Sequence, residues 1–188
     1  MVLAGNNLTV SDVLLVPAQG AFFYDDQLAI RQGAASDGFT YQGKPRTPGF
    51  TAIRMPAEAL SVGLKLSDGV IVWGDMMSVQ YAGAGGRDPV FDAKAIMDLT
   101  RRAVVPRLKG LPVDSFLDAC SASLTAGSVR LPLAVSYGVS QALLLATAHS
   151  HRCTMAEIIC REFDLPVPDS AVPLYAQSGD QRQINVDK

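Results

Sequence analysis

Apolar and polar residues alternate most regularly between residues 60 and 67. Leu60, Val62, Leu64 and Leu66 are separated by Ser61, Gly63, Lys65 and Ser67, the period of a strand with one buried face. Ser67-Asp68-Gly69 follows as a turn and Val70 to Trp73 returns, so the pattern predicts a hairpin. Upstream, the β-branched and Leu-rich run Val10 to Val16, ended by Pro17, predicts a first strand. Between them, Gly33 to Gly49 is polar and glycine-rich, with turn signals at Asp37-Gly38, Pro45 and Pro48. Loops of that length commonly serve as lids or binding loops.

Beyond the hairpin the period lengthens. Asp88 as a cap, Pro89 at the first helical position and an apolar face of Phe91, Ala95, Ile96, Leu99 and Ala103 predict a helix up to Pro106. Pro112-Val113-Asp114 opens a second, with Phe116, Leu117 and Cys120 on its apolar side. Pro132 opens a third, where Ala134, Gly138, Ala142 and Ala146 suit close packing. Thr154-Met155-Ala156-Glu157 is a capping box that starts a short fourth. Asp164 to Asp169 reads as a linker, and Ala171 to Ala176 as a new strand. Sheet first and helices second make an α+β domain followed by the beginning of another unit.

Composition bounds this picture. The chain has 188 residues, 48% of them hydrophobic, enough for one domain with a sizeable core. It is too short for a (β/α)8 barrel of about 250 residues. Sixteen Lys plus Arg against eighteen Asp plus Glu leave a net charge of −2, with no basic stripe for phosphates, which argues against nucleic acid. No apolar run approaches the ~20 residues that span a bilayer, which argues against a membrane. Met1 to Val10 lacks the features of a secretory signal, and the three cysteines (Cys120, Cys153, Cys160) form no CxxC. A reducing cytoplasm is the expected compartment.

Candidate chemistry is sparse. Gly83-Ala84-Gly85-Gly86 stands between a strand and a helix, but Asp88 occupies the third glycine position of a dinucleotide fingerprint, and no Walker A motif occurs. The cluster is either a helix entry or a loop that closes over a site elsewhere. Asp25-Asp26 is the only adjacent carboxylate pair that could suggest a catalytic dyad; without partner spacing it reads as a solvated turn. His149 and His151 do not share a helix face and have no completing ligands, so a surface location at a helix end is expected. Gln80 and Gln177 are amides at strand ends, where they could bind a carboxylate or simply face water.

Longer segments are more specific. Gly74 to Pro89 (GDMMSVQYAGAGGRDP), Phe22 to Gly43 (FFYDDQLAIRQGAASDGFTYQG) and Ala171 to Asp180 (AVPLYAQSGD) together resemble methylaspartate ammonia-lyases, members of the enolase superfamily. Tyr137 to Ala142 and Thr154 to Glu157 fit the same family, and the resemblance runs from about Val10 to Lys188. It implies an enolase-superfamily N-terminal capping domain, an antiparallel sheet followed by helices, over residues 1–165. Residues 166–188 would begin a truncated (β/α)8-type barrel.

The resemblance further implies a carbon–nitrogen lyase that takes ammonia from (2S,3S)-3-methylaspartate to give mesaconate through a Mg²⁺-stabilised enolate, as in amino-acid degradation by glutamate fermentation. By the same resemblance Gln177 and Gln80 would bind the substrate, and Gly83, Gly85 and Gly86 would belong to the closing loop. The base and the Mg²⁺ ligands would lie beyond this chain, which alone would be inactive. Its partners would be a small amino-acid substrate, the missing barrel domain and, for the complete enzyme, a second subunit in a homodimer. Met76-Met77 and Gln181 depart from the family pattern and bear on substrate fit. The alternative is a non-catalytic binding or capping module, or one half of a split enzyme that needs a separate barrel subunit. An apolar barrel-facing surface and self-association of the isolated chain are also expected.

Overall fold

The computed structural model describes residues 6–78, 88–125, 130–171, 173 and 174. Three strands form one antiparallel sheet in the order β1-β4-β5: β1 (Val10–Asp25), β4 (Arg54–Leu66) and β5 (Ile71–Met77). Between β1 and β4 lie a one-turn helix α1 (Gln27–Arg31) and a two-rung hairpin of β2 (Ser36–Asp37) and β3 (Thr40–Tyr41). The helices follow: α2 (Ala93–Ala103), α3 (Val105–Leu108), α4 (Phe116–Cys120) with a π-helical turn Ser121–Thr125, α5 (Leu133–His151) and α6 (Met155–Glu162).

The predicted hairpin is β4–β5. Leu60, Val62, Leu64 and Leu66 are all buried, and the loop closes where Gly69 takes φ +91°, a conformation that favours glycine. The first strand runs further than its sequence suggests. Pro17 lies inside β1, opposite Leu60. Because β1 is an edge strand, one side of it has no ladder partner, and a missing N–H there leaves nothing unpaired. The strand then bends at an irregularity between Gln19 and Phe23 before pairing again as far as Asp25.

Two helix readings shift. The cap of α2 is Asp92, whose side chain accepts from Ala95 N; Asp88 lies upstream. The buried face is accordingly rotated: Ala93 and Thr100 are buried, Ile96, Met97 and Ala103 pack on the core, and Ala95 is exposed. The helix stops at Ala103, and Pro106 sits in the first turn of α3. In α4 the buried residue is Ala119, while Leu117 is exposed. The capping box of α6 forms as expected, with Thr154 and Glu157 bonded reciprocally.

Helix α5 fixes the thickness of the domain. Its small residues Ala134, Gly138, Ala142 and Ala146 are buried against the sheet. A Cβ on Gly74 in β5 would overlap the carbonyl oxygen of Gly138 and stand 2.9 Å from Ala142 N. A Cβ on Gly138 would stand 2.7 Å from Met76 Cγ and 2.8 Å from Met76 N. Backbone meets backbone here, so no side chain can rotate away.

Gly138→Ala should therefore destabilise the chain by about 3 kcal/mol or more, at the upper end of overpacking costs, while Ala→Gly at exposed Ala95 should cost about 1 kcal/mol. Urea titrations of the two variants check the contrast; equal losses would contradict it.

Candidate functional site

Strand β5 is held on both sides. Its ladder with β4 runs from Lys65↔Ile71 to Ala59↔Met77. On the free side, Asp75 N donates to Gln141 Oε1 of α5 at 3.0 Å, and Ser61 Oγ donates to Asp75 Oδ1 at 2.6 Å. The end of the strand meets Tyr24 of β1. This fully buried tyrosine donates its hydroxyl to the carbonyl oxygen of Glu58 at 3.1 Å. Burial pushes the phenol up to about 12 and the Glu58 carboxylate adds to it, while hydrogen bonds with the backbone of Glu58 and Ser78 pull the other way. Tyr24 therefore stays a neutral donor and ties β1, β4 and the exit of β5 together.

Residues 79–87 lie outside the described residues, and the chain is described again from Asp88. Asp88 Oδ2 accepts from Leu133 N, at the start of α5, at 2.9 Å. Pro132, the N-cap residue, makes no side-chain cap bond, so a carboxylate 45 positions away supplies one where the helix dipole favours negative charge. The described residues on either side of 79–87 are thus tied to the sheet, at Ser78, and to the N-terminus of α5, at Asp88.

Gln80, Gly83, Gly85 and Gly86 fall within 79–87, and Gln177 within 175–188; all five lie outside the described residues. The same holds for Val172, Tyr175 and Ala176 of the expected last strand. Ala171, Pro173 and Leu174 carry no strand assignment, and Leu174 is 99% exposed.

Asp25 and Asp26 are described, and they form neither a dyad nor a solvated turn. Asp25 receives Arg54 Nε and Nη2, each at 2.7 Å, a bidentate pair. Phe39 and Tyr41 lie against the same guanidinium at 5.1 Å, which docks the β2–β3 hairpin. Asp26 is fully buried. It caps α1 through Leu28 N and Ala29 N, and it takes Thr47 Oγ1 at 2.6 Å, Thr47 N at 2.9 Å and Arg46 N at 2.5 Å. Both carboxylates are committed to holding loops, which accounts for most of the long connection. The sequence offered no sign of this, because the partners other than Leu28 and Ala29 lie 20 to 29 positions away.

The histidines sit in the last turn of α5. His149 Nε2 is 2.8 Å from Asp68 Oδ2, and that hydrogen bond holds the Asp68 carboxyl below the usual carboxylate range. His151 Nε2 is 2.8 Å from the carbonyl oxygen of Asp114. An open cleft of about 510 Å³ lies beside His149, lined also by Arg152, Cys153 and Glu157. It is at the far end of α5 from Leu133, about 24 Å away at 1.5 Å per residue, and so cannot share a site with the exit of β5. Burial pushes the Cys120 thiol up to about 11, with the Glu162 carboxylate adding to the rise, so it is no thiolate nucleophile at neutral pH. Among the described residues no group of three or more His, Cys, Asp or Glu could hold a metal ion, and no helix is long and apolar enough to cross a membrane.

An antiparallel sheet covered on one face by helices defines an α+β domain. The chain belongs to the methylaspartate ammonia-lyase family: residues 8–164 match the family described as methylaspartate ammonia-lyase N-terminus. It is 46% identical over 184 residues to methylaspartate ammonia-lyase 1 of Carboxydothermus hydrogenoformans and 43% identical over 183 residues to the Clostridium tetanomorphum enzyme. Each comparison covers 96% of this chain and 44% of the relative, so the chain spans less than half the length of these proteins.

Among solved structures, the Citrobacter amalonaticus methylaspartate ammonia-lyase containing (2S,3S)-3-methylaspartic acid superposes with a TM-score of 0.87 at 42% identity. A Mg-complex of the Clostridium tetanomorphum enzyme gives 0.86 at 43%. Both cover 95% of this chain and 44% of the other. Muconate lactonizing enzyme from Pseudomonas fluorescens gives 0.50 at 14% identity over 76% of the chain, a likeness of fold alone.

Asp26 makes a pH prediction. Burial alone would raise its pKa; the hydrogen bonds from Thr47, Arg46 and Ala29 outweigh burial and bring it down to about 2. A depressed folded-state value stabilises the fold above the unfolded value of about 3.9, and the contribution is lost as pH falls toward 2. The chain should lose roughly 2 kcal/mol across that window through Asp26, and Asp26→Asn should lose correspondingly less. Urea midpoints at pH 5 and pH 2.5 measure the difference; parallel pH profiles would contradict it.

Proposed function

We propose that this chain is the substrate-capping part of a methylaspartate ammonia-lyase, a carbon–nitrogen lyase that converts (2S,3S)-3-methylaspartate to mesaconate and ammonia. The observation that carries this reading is the 46% identity across 96% of the chain to an enzyme of that name. The Citrobacter structure, which contains (2S,3S)-3-methylaspartic acid, supports the substrate.

Residues 1–165 form the cap in this reading, and 166–188 begin the barrel; the family match ending at residue 164 supports a boundary there. Gln177 binds the substrate carboxylate and Gln80 faces the substrate from the cap in this reading, and Gly83, Gly85 and Gly86 allow the loop that carries Gln80 to close. The anchoring of both flanks of 79–87 supports such a role, since a closing loop needs rigid ends. The Mg-complex of the Clostridium enzyme supports Mg²⁺ as the cofactor of the complete protein. Among the described residues no group fits it; the resemblance to the family implies that its ligands and the general base lie in the remainder of the enzyme. The whole acts in the cytoplasm.

The chain alone should show no ammonia release. A chimera joining it to the remaining length of the Citrobacter enzyme should form mesaconate from 3-methylaspartate in the presence of Mg²⁺. In that chimera Gln80→Ala and Gln177→Ala should each lower kcat/KM about 10- to 100-fold, the value of a charge-assisted hydrogen bond of roughly 1.5–3 kcal/mol. Activity of the chain without the barrel, or a folded chimera inert toward 3-methylaspartate, would overturn the reading.

A further inference from the structure

Strand β5 parts from the sheet at a hydroxyl. Its ladder with β4 runs as far as Ala59↔Met77, and the antiparallel register makes Glu58 and Ser78 the next pair. Strand β4 itself continues to Arg54, paired there with β1. Between Glu58 and Ser78 stands the phenol of Tyr24. It has one proton, which goes to the carbonyl oxygen of Glu58 at 3.1 Å. The hydrogen bond it shares with the backbone of Ser78 is therefore one it accepts, from Ser78 N–H. A direct rung would hold the two backbones one hydrogen bond apart, about 2.9 Å from N to O. Two bonds in series hold them further apart, so a side chain of the third strand, β1, sets where β5 separates from β4.

That side chain is itself fixed. Tyr24 is fully buried in the core, and the Phe22 ring packs edge-on against it with centroids 5.7 Å apart. Its backbone pairs with Met55 of β4. Glu58 is held from the other side, where its carboxylate accepts from Ala93 N at the start of α2 at 2.7 Å. The phenol also keeps its proton in neutral and mildly alkaline solution, because burial pushes it up to about 12. It is a spacer whose charge does not change.

Gln80, which faces the substrate in the proposed lyase, follows Ser78 by two residues. Two residues span at most about 7 Å, so a displacement of Ser78 has little chain over which to be absorbed. Misplacing a group at a reacting centre by about 1 Å can cost about 100-fold in rate. We propose that Tyr24 is a positioning residue of the lyase reaction, its hydroxyl holding the backbone of Ser78 so that Gln80 meets the substrate. This rests on the lyase reading and adds to it a residue that, being fully buried in the core, has no access to substrate.

A double-mutant cycle tests it in the chimera with the remaining length of the Citrobacter enzyme. Tyr24→Phe should lower kcat/KM at least about fivefold, and by no more than Gln80→Ala does. In the Gln80→Ala background it should cost less than about twofold, because the group it positions is gone. Loss of a hydroxyl that only steadies the fold would lower activity equally in both backgrounds. The pH profile of kcat/KM between about pH 7 and 10 should keep its shape in Tyr24→Phe, since the phenol exchanges no proton in the reaction.

An inert chimera would overturn the lyase reading and this proposal with it. An active chimera overturns the proposal alone if Tyr24→Phe leaves kcat/KM within about twofold, acts equally in both backgrounds or changes the pH profile. So does an active chimera that Gln80→Ala leaves unimpaired. Should Tyr24→Phe fail to fold, Ser78→Pro decides. It removes the N–H donor at the end of the strand and leaves the core intact. It should give the same loss and the same dependence on Gln80, and full activity of that variant would overturn the proposal.

Discussion

The approach of α5 to β5 at Gly138 and Gly74 is the constraint on which the rest of the arrangement hangs. The two backbones touch, and either glycine's Cβ would occupy space held by main-chain atoms. Several consequences follow from this one distance. Gln141 lies one turn beyond Gly138 and reaches the free N–H of Asp75, capping the sheet edge that would otherwise invite another strand. Met76, between the two contacts, is driven fully into the core, where its sulfur accepts from Thr100 Oγ1 at 3.8 Å. A hydrogen bond of this kind contributes about 1 kcal/mol, whereas widening the contact would loosen every apolar residue between helix and sheet. Packing therefore decides the geometry, and the polar contacts follow it.

Where packing is thin, carboxylates do the holding. Asp26 gathers the N–H groups of Leu28, Ala29, Arg46 and Thr47; Glu58 accepts from Ala93 N at 2.7 Å; Asp88 accepts from Leu133 N. Glu162 takes Phe116 N and Leu117 N at 2.7 and 2.8 Å, opening α4 from the far end of α6. Each of these acids sits at a helix start, where unpaired N–H groups and the dipole both favour negative charge. Three helix starts, those of α2, α4 and α5, are thus fixed by side chains distant in sequence, and Asp26 ties the Arg46-Thr47 segment to the start of α1. This explains how a domain with long irregular connections keeps them in place with a modest number of charged residues.

The elements legible in the sequence are those whose logic is local. The alternation of Leu60 to Leu66 needs only a buried face, and the Thr154–Glu157 box needs only its own turn. The small-residue series in α5 was legible because it repeats at helical spacing. Pro17 misled because edge and central strands differ only in partners that the sequence does not show. Asp88 misled because it does cap a helix, but α5 rather than α2. The Asp25-Asp26 pair looked idle because its partners are Arg46, Thr47 and Arg54. The same applies to Tyr24 and Gln141, whose anchoring of β5 no spacing rule reveals. The candidate site residues themselves came from resemblance rather than pattern: an amide that binds a carboxylate and an amide that faces water have the same spacing.

A strand end is a good place for a substrate-facing residue, and β5 shows why. A helix terminus is fixed along one axis and frays, whereas β5 is restrained by the β4 ladder on one side, Gln141 on the other, α5 beneath and the Tyr24 hydroxyl at its exit. Each restraint acts in a different direction, so together they leave little freedom to the backbone that enters residue 79. In the proposed lyase the proton acceptor and the metal belong to another part of the protein, and the cap contributes position. The domain completes its core with its own side chains, from Val10 to Ile158. Its stability is consequently separable from the chemistry it serves, and the two can be tested with different substitutions.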